Sequence, residues 1–147
     1  MTGSGEVDGM TYNRGLIEDP DGFAREHGAA SWLYLCGEEF ASMDGGMSYE
    51  QVQAAVAASA NVISDPPREM TMELAREQLA ALASLPQPAL VTCRTGPRSS
   101  ALVYLHAGLE SGAPPDEVLA RAEADGAPFT KSDELKAWVR QGLDELS

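Results

Sequence analysis

One ten-residue stretch carries the residue types that could do chemistry on an anion. Residues 91–100 read Val-Thr-Cys-Arg-Thr-Gly-Pro-Arg-Ser-Ser. The apolar run at 88–91 predicts a short buried strand before this stretch, and the run at 101–105 predicts a helix after it. Cys93 is therefore expected where a strand ends and Arg98 where a helix begins. The first turn of a helix presents unpaired N–H groups and the positive end of its dipole, which stabilise a thiolate.

The side chains around Cys93 fit the binding of a tetrahedral oxyanion. Arg98 can add a bidentate guanidinium fork, and Gly96 lets the loop bend where a side chain would clash. The hydroxyl of Ser99 or of Ser100 can donate to the sulfur. The alternative is a buried structural cysteine followed by an ordinary turn. We predict that Cys93 and Arg98 are catalytic and that the anion-binding loop comprises Arg94, Thr95, Gly96, Pro97, Ser99 and Ser100.

The run Cys-Arg-Thr-Gly-Pro-Arg-Ser carries a family resemblance. It resembles the active-site loops of the cysteine-dependent phosphatase and rhodanese superfamilies. It is most similar to the beta-lactamase-hydrolase-like, phosphatase-like domain family, whose loop reads Cys-Arg-x-Gly-x-Arg-Ser. The standard tyrosine phosphatase pattern has five residues between Cys and Arg and usually His before the Cys. Here four residues separate Cys93 from Arg98, and Thr92 precedes the cysteine.

The shorter loop resembles that of rhodanese sulfurtransferases, which carry a persulfide on the cysteine. Pro97 has no N–H and so removes one donor from a backbone cradle. Members of the resembled family are associated with both phosphatase-like and sulfur chemistry. The loop by itself therefore leaves phosphate and sulfane sulfur open as substrate classes.

Three other segments resemble the dual-specificity phosphatase fold. Residues 12–16 with 23–28 are similar to its opening turn and helix, and residues 33–39 to the strand and polar loop that line its pocket. Asp65 stands close to where these phosphatases keep their general acid. Such an acid would protonate the group that Cys93 expels and then act as base toward water. The alternative for Asp65 is a turn residue before Pro66.

Cys36 also has two interpretations. It is either a small buried residue at a strand end or a redox partner of the catalytic cysteine. Residues 34–38, Tyr-Leu-Cys-Gly-Glu, resemble the lipid phosphatase of the tensin type. That resemblance implies a reversible disulfide between Cys36 and Cys93.

Composition and charge limit the kinds of domain, partner and compartment that fit this chain. The chain has 147 residues, 44% of them apolar, which fits one globular domain. A formal net charge of −13 argues against nucleic acid and anionic membranes as partners, because both would repel the protein. No stretch is long enough for a membrane span, and two cysteines fit a reducing compartment, the cytoplasm or an organelle interior. Two scattered histidines give no metal-ligand spacing, and no cofactor is implied.

The element pattern predicts an α/β fold. We expect a flexible N-terminal tail at residues 1–9 and a single phosphatase-like domain at 10–147. Strands at 10–16, 31–36, 61–64 and 88–91 alternate with helices, and three helices follow the loop. This alternation predicts a mostly parallel central sheet flanked by helices, with the loop at its carboxyl edge. The strand at 10–16 is expected at an edge of the sheet.

Three functions remain from the sequence. The first is a cysteine-dependent hydrolase of phosphate monoesters that works through a Cys93 phosphocysteine. The second is a rhodanese-like sulfurtransferase that works through a Cys93 persulfide, and the third is a non-catalytic module that binds an anion or a partner. The sequence lacks a basic rim, which favours a small or neutral-flanked substrate. It leaves the oligomeric state open.

Overall fold

The structure, a computed structural model, describes residues 3–43, 46–64 and 69–147. Within these ranges the strands are β1 (Gly3–Val7), β2 (Met10–Arg14), β3 (Ser31–Tyr34), β4 (Ala58–Asn61) and β5 (Ala89–Thr92). The helices are α1 (Pro20–Glu26), α2 (Glu38–Ala41), α3 (Tyr49–Ala55), α4 (Met72–Ala83), α5 (Pro97–Ser111), α6 (Pro115–Ala124) and α7 (Asp133–Leu146), with a 3₁₀ helix at Pro128–Lys131.

The strands form one sheet in the order β1-β2-β5-β3-β4. All neighbours pair in parallel except β1, which runs antiparallel to β2. Every residue of β3 and of β5 is buried, as expected for central parallel strands that are covered on both faces. The predicted α/β class with a mostly parallel sheet is therefore confirmed. Because β5 lies in the centre of the sheet, the loop that follows it emerges between β2 and β3.

The N-terminal segment differs from the prediction. Gly3–Val7 forms β1, which pairs with β2 from Gly3 opposite Arg14 to Val7 opposite Met10. The expected loose tail is thus wrong for these residues, because strand pairing uses backbone groups and needs no apolar side chains. The expected edge strand at 10–16 is instead β2, an inner strand covered by β1.

Two other elements also lie elsewhere than expected. The strand predicted at 61–64 is β4 at Ala58–Asn61, whose small side chains give no apolar pattern. The N–H groups of Val62 and Ser64 still donate to the Tyr34 and Leu35 carbonyls, so pairing continues past β4. The loop expected after Cys36 contains the short helix α2.

Helix boundaries follow the capping residues. Ser48 accepts from the Gln51 N–H and forms a capping box with Gln51 at the start of α3. Thr71 accepts from the Leu74 N–H at the start of α4. Ser132 caps α7. α5 packs against the strands β2 and β5 and also against α7. Within the described ranges, no helix has the length and apolar character needed to cross a membrane.

Candidate active site

The cysteine loop joins the central strand to the longest helix. Cys93 directly follows β5, and Gly96 precedes α5, which begins at Pro97. The Cys93 side chain is 4% exposed, and its sulfur accepts from the Gly96 N–H at 3.2 Å and the Ser99 N–H at 3.4 Å. The predicted placement of Cys93 at a strand end and of Arg98 in the first turn of a helix is confirmed. The two N–H donors and the start of α5 thus direct the positive ends of their dipoles toward the sulfur.

The two serines of the loop have different surroundings. The Ser99 hydroxyl oxygen accepts from the Cys93 thiol at 3.5 Å. Two acceptors lie near the Ser99 hydroxyl proton, Asn13 Oδ1 at 3.0 Å and the Gly96 carbonyl oxygen at 3.1 Å. Its single proton can serve one of these acceptors at a time. Ser100 instead donates to the Pro97 carbonyl at 3.0 Å and accepts from the Phe129 N–H at 3.1 Å. Of the two hydroxyls, that of Ser99 is therefore the one in contact with the Cys93 sulfur.

Arg98 brings an unsatisfied donor to the site. Its Nε is buried and makes no hydrogen bond in the described part of the chain. The same residue forms no ion pair with any described carboxylate. A buried N–H without an acceptor is costly, by about 1–3 kcal/mol. An anion above Cys93 would remove that cost, so the arrangement fits an anion site.

A cavity of about 340 Å³ opens above the sulfur. Cys93 and Arg98 line it together with the apolar side chains of Phe40 and Met43. The Arg94 guanidinium carbon lies 5.5 Å from the centre of the Phe40 ring, in cation–π contact. The remaining lining residues are Cys36, Glu39 and Thr95.

The structure places Cys36 in the same cavity as Cys93. Both are buried, and both are thiols rather than halves of a disulfide. Of the predicted loop residues, Arg94 and Thr95 line this cavity with Cys93 and Arg98, whereas Pro97 and Ser100 do not. Asp65 lies outside the described residues, and its assignment as general acid stays a prediction.

Asn13, the residue that organises the loop, was missed as a site residue. Its fully buried side chain donates to the carbonyls of Cys93 at 2.9 Å, Gly15 at 2.9 Å and Arg94 at 3.3 Å. Its Oδ1 accepts from the Cys93 N–H at 3.2 Å. The available signal was an amide within the strand predicted at 10–16. The sequence predicts for this segment an edge strand and the opening turn of the resembled family, neither of which points to a role at the site.

The loop also contacts the end of β2 through backbone groups. The Gly15 N–H donates to the Thr95 carbonyl at 2.9 Å. Gly96 has a φ of 114°, and a Cβ there would overlap the Asn13 carbonyl oxygen. A glycine is therefore required at this position for both its backbone conformation and its closeness to β2. On the other side, Trp32 Nε1 donates to Thr92 Oγ1 at 2.8 Å and fixes the residue before the cysteine.

Side-chain hydrogen bonds hold residues 125–126, which follow α6, against β2. Arg14 donates to the carbonyls of Gly126 at 2.8 Å and Asp125 at 2.9 Å, and to the Tyr12 hydroxyl at 2.9 Å. The Tyr104 hydroxyl donates to Asp125 Oδ2 at 2.6 Å. Burial, together with this hydrogen bond, raises the pKa of Tyr104 well above its ordinary value, so the hydroxyl stays a neutral donor. These contacts position the 3₁₀ helix beside the loop.

No group of three His, Cys, Asp or Glu side chains suited to a metal ion occurs in the described residues.

No family model and no curated protein sequence matches the chain. Solved structures do match it. A candidate phosphatase from Neisseria meningitidis Z2491 superposes with a TM-score of 0.68 at 17% identity, over 92% of this chain and 94% of that chain.

Two further matches have similar scores. The core catalytic domain of the Saccharomyces cerevisiae PP-IP phosphatase SIW14 has a TM-score of 0.71 at 13% identity, over 97% of this chain and 86% of that chain. Tk-PTP in its active form has a TM-score of 0.68 at 13% identity, over 97% of both chains. This chain has the tyrosine-phosphatase-like fold. At these identities the likeness establishes the architecture alone.

Proposed function

We propose that this protein is a cysteine-dependent, phosphatase-like hydrolase that acts on phosphate monoesters through a phosphocysteine at Cys93. The observation that carries the proposal is the pairing of two features at one cavity. The Cys93 sulfur receives the N–H groups of Gly96 and Ser99, and the buried Nε of Arg98 has no acceptor among the described residues. A nucleophile and an unsatisfied cation that line one cavity suit a tetrahedral dianion.

The first chemical step transfers the phosphoryl group to sulfur. The Cys93 thiolate attacks phosphorus, the S–P bond forms, and the P–O bond to the leaving group breaks. The leaving oxygen takes a proton, for which Asp65 is our candidate donor. The Arg98 guanidinium and the loop N–H groups stabilise the charge on the equatorial oxygens.

The second step returns the enzyme to its starting state. Water attacks phosphorus, a new P–O bond forms, and the S–P bond breaks to release inorganic phosphate and the Cys93 thiolate. The proton of the attacking water passes to the Asp65 carboxylate. The Ser99 hydroxyl, 3.5 Å from the sulfur, can turn from Asn13 Oδ1 to stabilise the departing thiolate.

The experiment that tests the proposal is hydrolysis of an aryl phosphate at mildly acidic pH. Wild type is compared with Cys93→Ser, and Cys36→Ser serves as a control that changes the other thiol of the cavity. We expect turnover in wild type and in Cys36→Ser, and loss by at least about a thousandfold in Cys93→Ser. Acid quenching should trap a phosphorylated peptide that contains Cys93. Unchanged turnover in Cys93→Ser would overturn the proposal.

A second candidate is sulfur transfer, favoured by the short loop with Pro97 in place of an N–H donor. Thiosulfate would pass its outer sulfur to the Cys93 thiolate and release sulfite, and cyanide would then remove that sulfur as thiocyanate. If wild type fails to hydrolyse aryl phosphates, thiosulfate-to-cyanide transfer with the same variants decides between this candidate and a non-catalytic anion-binding module.

A further inference from the structure

A second cavity adjoins the candidate active site. Its volume is about 520 Å³, and Thr95 lines both this cavity and the one above Cys93. Its two cationic residues are Arg14, at the end of β2, and Lys131, at the end of the 3₁₀ helix. The other walls are mainly backbone and small side chains, among them Gly126 and Ser132.

The positive charge of this cavity is not neutralised within the described residues. Arg14 donates three of its N–H groups, but the acceptors are two carbonyls and one hydroxyl, all uncharged. Lys131 is exposed, and neither cation forms an ion pair with a described carboxylate. Lys136, a short distance along the chain, is different. It pairs with Glu123 at 3.8 Å and with Asp133 at 3.6 Å.

The fold rather than the sequence creates this arrangement. Arg14 and Lys131 lie near opposite ends of the chain, so no basic cluster is visible in the sequence. In a protein of net charge −13, two neighbouring unpaired cations form a local site that attracts anions. Two N–H groups of Arg14, Nε–H and the second of Nη1, are not used by the hydrogen bonds described above.

We propose that this second cavity binds a second anionic group of the substrate, and that the preferred substrates are small phosphate monoesters that carry a second phosphate. The proposal rests on the proposed function of the Cys93 site. One phosphate would lie between Cys93 and Arg98, and the other between Arg14 and Lys131. Thr95 separates the two positions, so the spacing of the phosphates determines which substrates fit.

The test uses α,ω-alkanediol bisphosphates of increasing chain length and the monophosphate of each diol. Phosphate release gives kcat/KM for each pair. We expect one chain length to be preferred over its monophosphate by about tenfold or more at low salt. Lys131→Met should lower that preference severalfold, and Lys131→Arg should retain it. The matched control Lys136→Met removes a paired lysine nearby and should leave the preference unchanged.

A binding measurement separates failure of this proposal from failure of the proposed function. Non-hydrolysable alkane bisphosphonates and monophosphonates are titrated into Cys93→Ser by calorimetry, which needs no turnover. A bisphosphonate preference that Lys131→Met reduces and Lys136→Met does not supports the second cavity, whatever the chemistry at Cys93. Equal affinity for the two ligand classes at every length would overturn it. An equal effect of Lys131→Met and Lys136→Met would overturn it as well, since non-specific electrostatic attraction would then explain the preference for bisphosphonates.

Discussion

The side chain of Asn13 pairs with the backbone of Cys93 on both sides. Its Nδ2 donates to the Cys93 carbonyl at 2.9 Å, and its Oδ1 accepts from the Cys93 N–H at 3.2 Å. An amide on β2 thus holds the nucleophile at the end of β5 much as a neighbouring strand would. The orientation of the sulfur depends on a residue eighty positions away in the chain.

Replacing Asn13 should therefore lower kcat/KM strongly and the free energy of unfolding only modestly. Asn13→Ala leaves the Cys93 N–H and carbonyl without partners and lets the loop relax, so we expect kcat/KM for an aryl phosphate to fall by about a hundredfold. The free energy of unfolding should fall by about 1–3 kcal/mol, measured by chemical denaturation.

Asn61→Ala is the matched control for Asn13→Ala. Asn61 also bridges two carbonyls, those of Tyr34 and Cys36, at 2.9 Å and 3.0 Å. It should cost similar stability with a much smaller loss of kcat/KM. Equal losses of activity in the two variants would show that Asn13 acts only through stability.

Gly96→Ala tests the close approach of the loop to β2. Gly96 and Gly15 both have positive φ, 114° and 121°, but only at Gly96 would a Cβ overlap another atom, the Asn13 carbonyl oxygen. Gly15→Ala should cost about 1 kcal/mol of stability for its backbone conformation and retain turnover. Gly96→Ala should lose more stability and most of its turnover, measured by thermal unfolding and aryl phosphate hydrolysis. Identical behaviour of the two variants would contradict the argument from steric overlap.

Ser99→Ala should slow the second chemical step. The hydroxyl near the sulfur stabilises the thiolate as it leaves phosphorus, so its removal should lower kcat by about tenfold and let phosphocysteine accumulate. Rapid acid quenching followed by peptide mapping measures the intermediate. Ser100→Ala removes bonds to Pro97 and Phe129 instead, and should reduce stability by about 1 kcal/mol without such accumulation. Accumulation in neither variant would exclude this role for Ser99.

Asp65→Asn tests the candidate general acid. An amide cannot donate the proton that an alkoxide leaving group needs, so kcat for an alkyl phosphate should fall by about a hundredfold or more. A phenol that bears electron-withdrawing groups is a better leaving group and needs less protonation, so kcat for its phosphate ester should fall less. Glu69→Gln removes an exposed carboxylate four positions along the chain from Asp65, and this control should change neither rate. Equal losses for both leaving groups would argue that Asp65 is a turn residue.

Mild peroxide should link Cys36 to Cys93. Both thiols are buried and line one cavity, so oxidation of Cys93 to a sulfenic acid would place it near a second thiol that can displace water. Non-reducing peptide mapping should find the cross-linked peptide in wild type and not in Cys36→Ser. Activity should return with a dithiol reductant. A wild-type map without that peptide would refute the predicted disulfide.

The sequence determined the local character of the site. An apolar strand, a Cys-to-Arg loop with glycine, and a helix start are encoded by neighbouring residues, because strand burial, turn conformation and helix capping depend on short-range patterns. For the same reason the caps at Ser48 and Thr71 and the α/β class were predictable. The tail at residues 1–9 was not, since the pairing of Gly3–Val7 depends on the exposed backbone of β2 rather than on its own composition.

Only the tertiary structure decided how the loop is held and what surrounds it. Asn13 reaches Cys93, and Lys131 comes to lie near Arg14, because the sheet order places β2 beside β5 and the segment after α6 folds back on β2. These contacts join residues far apart in the chain, and a single sequence contains no periodic signal for them. The chemistry of the nucleophile is thus local, whereas its orientation and the charge around it are properties of the fold.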